Sequence, residues 1–274
     1  MGYFEHQGIR FYYRTTGKGI PFILLHGMGG DSRQSARLFR PPEGIQMVYM
    51  DQRGNGYTEA GPTKEQRFDV MAEDVDALAD YLKLGRFILG GVSMGAAVAV
   101  RYAVERKDRV IGLVLIRPAW THFPMDVEVR ELYHRIAELV ETADSPEAAA
   151  GIYMKWEKYR LLKKKAPEVA RSLLKHFSEY KIVDNSEKFR VLPEQSPFHN
   201  PGQLKLIGCK TLVIATAKDP IHSLQYGQYY RDYISDAEFV EITPKSEGIR
   251  RHYQRVQEEI ERFLQKLGVW LGEL

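Results

Sequence analysis

Residues 86–97 read RFILGGVSMGAA, and this stretch decides the fold class. Arg86 to Leu89 predicts a buried strand, and the small apolar residues from Met94 to Val104 predict a buried helix. Between them lies Gly91-Val92-Ser93-Met94-Gly95, a G-x-S-x-G pattern at a strand-to-helix turn. Such a turn strains the serine backbone and raises its hydroxyl at the carboxyl ends of the strands, where ligands bind in α/β sheets. A structural turn with an inert serine is the alternative.

Strand–helix units repeat on both sides of this stretch. Apolar or β-forming runs predict strands over residues 9–15, 21–25, 46–50, 111–116, 211–216 and 238–242. Helices are predicted over residues 71–84 and 221–234, and from the last strand to about residue 267. This alternation predicts an α/β fold with a mostly parallel sheet flanked by helices.

The pattern breaks between Pro118 and about Leu204, where no convincing buried strand occurs. Helical patterns cover residues 127–141, 146–164 and 167–180 instead. About 85 residues exceed an ordinary connection between elements. We therefore predict a core of residues 1–117 and 205–274, interrupted by a helical insertion of residues 118–204.

Composition restricts the function classes. The 274 residues include one cysteine, Cys209, so neither an internal disulfide nor a cysteine-based metal site can form. The 39 basic and 36 acidic residues are too evenly balanced to indicate a nucleic-acid or membrane partner. No run is long and apolar enough for a membrane span, and the N-terminus lacks a signal-peptide pattern, so we expect a cytoplasmic protein.

The chain resembles the α/β-hydrolase family over nearly its whole length. The resemblance rests on His26-Gly27 after a buried strand, residues 51–56 (DQRGNG), the Ser93 turn, the insertion and Asp219. It implies an eight-stranded sheet, an insertion that forms a cap over the nucleophile, and an oxyanion hole made by the amides of Met28 and Met94. It also implies the chain order serine, acid, histidine for the catalytic residues. Asn55 departs from the family, since many relatives have histidine there.

In the family order, the catalytic acid and the base both follow Ser93 in the chain. Asp219 follows the strand 211–216, where the family acid belongs, although an aspartate before a proline is also a good helix start. His222 and His252 follow it. His222 lies only three residues on, with little room to reach Ser93, so we assign the base to His252, beyond the last strand. The family usually has Gly-His soon after that strand, but residues 244–249 read PKSEGI. An exposed histidine on a helix face is the alternative for His252.

The remaining predictions concern the pocket and the reaction. Trp120 and Phe123 lead into the insertion and are expected to wall the pocket, and His26 is expected either there or as a structural hydrogen-bonding group. We expect a serine hydrolase that cleaves a small, largely apolar carboxylic ester through an acyl-enzyme. No metal or cofactor is required, the partner is a small-molecule substrate, and homo-oligomerisation is left open. A cofactor-free perhydrolase or C–C bond hydrolase, or a non-catalytic receptor-like protein, are the alternatives.

Overall fold

The computed structural model describes residues 1–179 and 181–268. Over these residues it contains eight strands: β1 (Gly2–His6), β2 (Ile9–Thr16), β3 (Ile20–Leu25), β4 (Ile45–Met50), β5 (Phe87–Val92), β6 (Val110–Ile116), β7 (Lys210–Thr216) and β8 (Ala237–Ile242). They form one sheet in the order β1-β2-β4-β3-β5-β6-β7-β8. Strand β2 pairs antiparallel with β1 and with β4. All other neighbouring strands, from β4 through β3, β5, β6 and β7 to β8, pair in parallel. The predicted eight-stranded, mostly parallel sheet is therefore confirmed.

Eleven α-helices lie in the described part of the chain. They are α1 (Ser32–Leu38), α2 (Phe68–Tyr81), α3 (Met94–Glu105), α4 (Val127–Thr142), α5 (Pro146–Lys155), α6 (Glu157–Lys165), α7 (Pro167–Leu174), α8 (Ile182–Asn185), α9 (Lys188–Val191), α10 (Leu224–Tyr233) and α11 (Ile249–Lys266). None of them is long and apolar enough to cross a membrane.

Two apolar cores cover the two faces of the sheet. Leu89 of β5 packs in the core that also holds helices α2 and α3, whereas Ile88 packs in the core with α11. Successive side chains of a strand point to opposite faces, so a strand covered on both sides is apolar throughout. This is why β3, β5 and β6 read as continuous apolar runs.

Several predicted boundaries differ from the structure. Strand β1 was not predicted, because only Phe4 of its five residues is buried and the alternation is too short to recognise. The helix predicted over residues 146–164 breaks at Trp156, whose extended backbone (φ −65°, ψ 133°) separates α5 from α6. The helix predicted from residue 221 begins at Leu224, because the Ser223 side chain caps it. The predicted ends at Tyr180 and Leu274 lie outside the described residues.

The segment between β6 and β7 contains α4 to α9 and lies against the core near the carboxyl ends of the strands. We call residues 118–204 the cap segment, and its status as a separate domain stays a prediction. Trp120 is fully buried in it, and its indole N–H donates to the carbonyl oxygen of Leu192. The Tyr153 hydroxyl donates to Leu132 and its ring packs on Tyr159, so these two aromatic residues build the interior of the cap segment.

Candidate active site

Ser93 stands on a strained turn between β5 and α3. Its backbone lies at φ 55° and ψ −112°. Residues other than glycine rarely adopt this conformation, and those that do are concentrated at functional sites. A Cβ on Gly91 would lie 2.1 Å from the carbonyl carbon of Gly95. A Cβ on Gly95 would lie 2.6 Å from the carbonyl oxygens of Leu25 and His26. The two glycines are thus required because strand and helix approach closely on both sides of the serine.

Asp219 and His222 lie on the loop that follows β7. Asp219 Oδ1 accepts hydrogen bonds from the backbone N–H groups of Ile221 and His222, both at 3.1 Å. This turn folds the loop back so that the imidazole reaches across to β5. His222 Nδ1 lies 3.0 Å from Asp219 Oδ2, and His222 Nε2 lies 2.9 Å from Ser93 Oγ. Serine, histidine and aspartate therefore form one hydrogen-bonded series.

This geometry corrects the choice of His252 as the partner of Ser93. His252 lies on the first turn of α11, where its backbone N–H donates to Gly248. Its Nδ1 lies 2.8 Å from the carbonyl oxygen of Thr243, and the residue is buried. Burial lowers the pKa of His252 to about 4. Its ring therefore fastens α11 to the end of β8, and the structure does not bring it to the serine.

Arg117 is a further charged group at this site. It follows β6 directly in a left-handed conformation (φ 48°), and its backbone N–H donates to Ile214 of β7. Its Nη2 donates to Asp219 Oδ2 and also lies 2.9 Å from His222 Nδ1. The Arg117 side chain is only 11% exposed and that of Asp219 8%. Asp219 is thus a largely buried carboxylate surrounded by four donors.

The neighbouring charges set the ionisation of these groups. Burial alone would raise the pKa of Asp219, but His222, Arg117 and the hydrogen bonds outweigh it and hold that pKa well below its usual range. Burial lowers the pKa of His222; Asp219 opposes this effect and Arg117 adds to it. The resting site therefore contains an ionised aspartate and a neutral imidazole near pH 7.

Met94 directly follows Ser93, and Met28 follows Gly27, at which a Cβ would lie 3.4 Å from the Ser93 Cβ. The Met94 N–H opens helix α3, and neither it nor the Met28 N–H has a hydrogen-bond acceptor among the described residues. Gln52 holds the Met28 loop through its N–H to His26 Nε2 (2.9 Å) and its side-chain amide to the His26 carbonyl oxygen (2.7 Å). Asn55 Oδ1 accepts from the Gly29 N–H at 3.0 Å. The DQRGNG segment therefore orients the loop on which the Met28 amide lies.

A cavity of about 50 Å³ opens beside Asp219 and His222, between the core and helices α4 and α7 of the cap segment. The residues predicted to wall the pocket are elsewhere. His26 is fully buried with both ring nitrogens engaged, and Trp120 is buried within the cap segment. Phe123 is 63% exposed and packs on His122. None of the three lines this cavity, and neither do Ser93, Met28 and Met94; its lining reaches the catalytic series through Asp219 and His222.

His222 was predicted not to reach Ser93, and no role was predicted for Arg117, Tyr133 or Lys245; all four residues line this cavity. One signal could have favoured His222: only His222 and His252 follow Asp219, and residues 244–249, where the family usually has its histidine, contain none. Arg117 and Lys245 offered no signal, because single basic residues after strands are common in loops.

The comparisons with known proteins agree with this fold. A sequence model described as the alpha/beta hydrolase fold matches residues 20–247. The AB hydrolase superfamily protein YisY of Bacillus subtilis is 26% identical over 262 residues, which cover 90% of this chain and 93% of that protein. A proline iminopeptidase of Arabidopsis thaliana is 35% identical over 109 residues, which cover 38% of this chain and 28% of that protein.

A solved structure shows a likeness over most of the chain. A thermophilic esterase from Thermogutta terrifontis matches with a TM-score of 0.69 and 25% identity, covering 94% of both chains. The family and these neighbours support a hydrolase. Since the family match spans most of the sequence and the sheet and the serine turn agree with it, this chain belongs to the α/β hydrolase fold family.

Proposed function

We propose that the protein is a serine hydrolase that cleaves carboxylic esters through an acyl-enzyme, with His222 as the general base in place of His252. One observation supports this most strongly: the series from Ser93 Oγ through His222 to Asp219, with contacts of 2.9 and 3.0 Å. A serine hydroxyl needs an adjacent base to become a nucleophile, and the base needs an orienting group.

In this mechanism the His222 Nδ1–H donates to Asp219, which leaves the Nε2 lone pair to accept the Ser93 proton. Ser93 Oγ attacks the acyl carbon while Nε2 takes the proton and then gives it to the departing alkoxide. Water enters, Nε2 removes its proton, and the acid leaves as Ser93 regains its hydrogen. The Met28 and Met94 amides donate to the oxyanion in both steps, and the N-terminus of α3 favours negative charge there.

Arg117 acts as a positioning residue in this proposal. Its guanidinium donates to Asp219 Oδ2, the same oxygen that His222 Nδ1 contacts. The contact holds the carboxylate in place, and the positive charge disfavours protonation of the imidazole. The base therefore works with a lowered pKa, so kcat/KM should rise with pH through a midpoint below the 6.5 or so of a free imidazole.

The test uses a fluorophosphonate that labels activated serines, together with p-nitrophenyl esters of increasing chain length. We expect the native protein to be labelled and to hydrolyse these esters, and Ser93→Ala to do neither. Proline p-nitroanilide is included because a relative bears the name proline iminopeptidase. Failure of the native protein to be labelled and to hydrolyse any ester would favour a receptor-like role, and turnover of the anilide alone would make it a peptidase.

A further inference from the structure

The cavity beside His222 contains an ammonium group without a carboxylate partner. Lys245, on the turn between β8 and α11, lines this cavity. Within residues 1–179 and 181–268, no carboxylate oxygen forms an ion pair with its Nζ, whose one aromatic contact is the ring of Tyr253 at 5.5 Å. Arg117 and Lys218 also line the cavity, but the first is paired with Asp219 and the second with a glutamate.

The acidic side chains of the lining do not offset Lys245. Glu168 is paired with Arg171 at 2.9 Å, and Asp219 is paired with Arg117. Because each of these acids already has a basic partner, the uncompensated charge of the cavity is the positive charge of Lys245. An unpaired cation held in a partly buried cavity is costly unless an anion joins it.

The rest of the lining suits a carboxylate. The hydroxyl groups of Tyr133, Ser172 and Ser246 belong to residues that line the same cavity and are hydrogen-bond donors. Burial raises the pKa of Tyr133, so its hydroxyl keeps its proton. The volume of about 50 Å³ is several times the roughly 10–15 Å³ that a cavity needs to hold one water molecule, which is room for a group of a few atoms.

We propose that this cavity binds a carboxylate of the substrate, with Lys245 as its counter-ion. The inference rests on the proposed function: Ser93 does not itself line the cavity, but His222 contacts Ser93 Oγ and lines the cavity, so the acyl chain would run past the imidazole from the reacting carbon to the bound acid. The substrates are then acyl compounds that carry a free acid, such as monoesters of dicarboxylic acids. This replaces the expectation of a largely apolar substrate.

The experiment compares two esters that differ in one charge: mono-p-nitrophenyl adipate and its methyl ester. The readout is the ratio of kcat/KM for the acid to kcat/KM for the methyl ester. We expect a ratio of about tenfold or more for the native protein, because a hydrogen bond between two charged groups is roughly twice as strong as one between neutral groups. Lys245→Met should bring the ratio near one, and Lys245→Arg should retain most of it. Lys210→Met, a matched change at an exposed lysine that is paired with Asp236 outside this cavity, should keep the native ratio.

The pH dependence of the same ratio gives a second readout. Burial, aided by the nearby Arg117, lowers the pKa of Lys245 to about 7. The ammonium form is therefore lost as the pH rises above about 7, and the preference for the acid should decline there, whereas Lys245→Arg should remove this decline. The charged, titratable and aromatic groups that face Lys245 are Arg117, Glu168, Lys175, Asp219, His222, His252 and Tyr253.

Calorimetry separates failure of this inference from failure of the proposed function. Monomethyl adipate should bind the Ser93→Ala protein and lose binding in the Ser93→Ala, Lys245→Met double variant. Two results would overturn the carboxylate subsite but not the proposed hydrolase activity. One is a labelled, active protein with a kcat/KM ratio of one, and the other is a Lys245→Met protein with the native ratio. If the protein is unlabelled and inactive but binds monomethyl adipate through Lys245, the subsite is supported and the proposed hydrolase activity is wrong.

Discussion

At the scale of single residues, the choice between two histidines depends on one hydrogen-bonded turn. Asp219 accepts the N–H groups of Ile221 and His222, and this contact turns the imidazole toward Ser93. Spacing along the chain disfavoured His222, because only three residues separate it from Asp219. The spacing did not show that β7 lies two strands from β5 with its loop folded inward. Ser93 and Asp219 could be predicted, because each follows a recognisable strand.

Arg117 gives a prediction about the pH profile. Arg117→Met removes a positive charge that lowers the pKa of His222, so the midpoint of kcat/KM against pH should move upward and activity at acid pH should fall relative to the plateau. Initial rates with a p-nitrophenyl ester from pH 4.5 to 8.5 give the profile. Arg117→Lys keeps the charge and should keep the midpoint. A native midpoint in Arg117→Met would show that the guanidinium has only a structural role.

At the scale of elements, the turn around Ser93 depends on the absence of a side chain at Gly95. Gly95→Ala should lower the free energy of unfolding by about 1–3 kcal/mol, because the new methyl group meets two backbone carbonyl oxygens at 2.6 Å. Gly151→Ala in α5 is the matched control: nothing lies within 4 Å of its Cβ, so alanine should stabilise by up to about 1 kcal/mol. Urea unfolding measures both, and equal effects would contradict the close-approach argument.

The elements themselves show which features a sequence can predict. Strands β3, β5 and β6 were recognisable because both of their faces are buried, which leaves an apolar run with no polar interruption. The ends of helices were less certain, because they depend on single caps: Ser223 starts α10 three residues later than the apolar pattern suggests. The break between α5 and α6 at Trp156 could not be predicted, because no glycine or proline lies next to it in the sequence.

At the scale of the whole molecule, a buried lysine fastens the cap segment to the core. Lys188 of α9 is 2% exposed, and its Nζ donates to the Gly54 carbonyl oxygen and Asn55 Oδ1, both at 2.9 Å. It also pairs with Glu179 at 2.7 Å. Asn55 in turn accepts from the Gly29 N–H, so the contact links the cap segment to the loop of the proposed oxyanion hole.

Removing this lysine should weaken the attachment. Lys188→Met should lower the free energy of unfolding by about 3 kcal/mol, since it removes the buried ammonium from Glu179 and leaves that buried carboxylate with His176 as its remaining side-chain partner. It should also speed proteolysis within residues 118–204. Lys158→Met is the control: both partners of its pair with Glu131 are nearly half exposed, so the expected loss is below about 1 kcal/mol. Equal protease sensitivity of the two variants would show that Lys188 does not hold the cap segment.

Strand–helix alternation and the long helical interruption were enough to predict the arrangement of the whole chain, because both are properties of many residues at once. The contacts between cap segment and core were not predictable, because they join residues more than a hundred positions apart, such as Lys188 and Gly54. The same holds for the contact of Arg117 with Asp219. The sequence thus predicted where the site lies better than which side chains complete it.

The most direct test of the central claim compares His222→Gln with His252→Gln in the same ester assay. We predict that His222→Gln loses about 10²–10⁴-fold in kcat/KM, the usual contribution of a general base, while the protein stays folded by circular dichroism. His252→Gln should retain activity within a fewfold of the native protein, because its ring binds Thr243 and not the serine. A His222→Gln protein with native activity, or a folded His252→Gln protein with the larger loss, would contradict the assignment of His222 as the base.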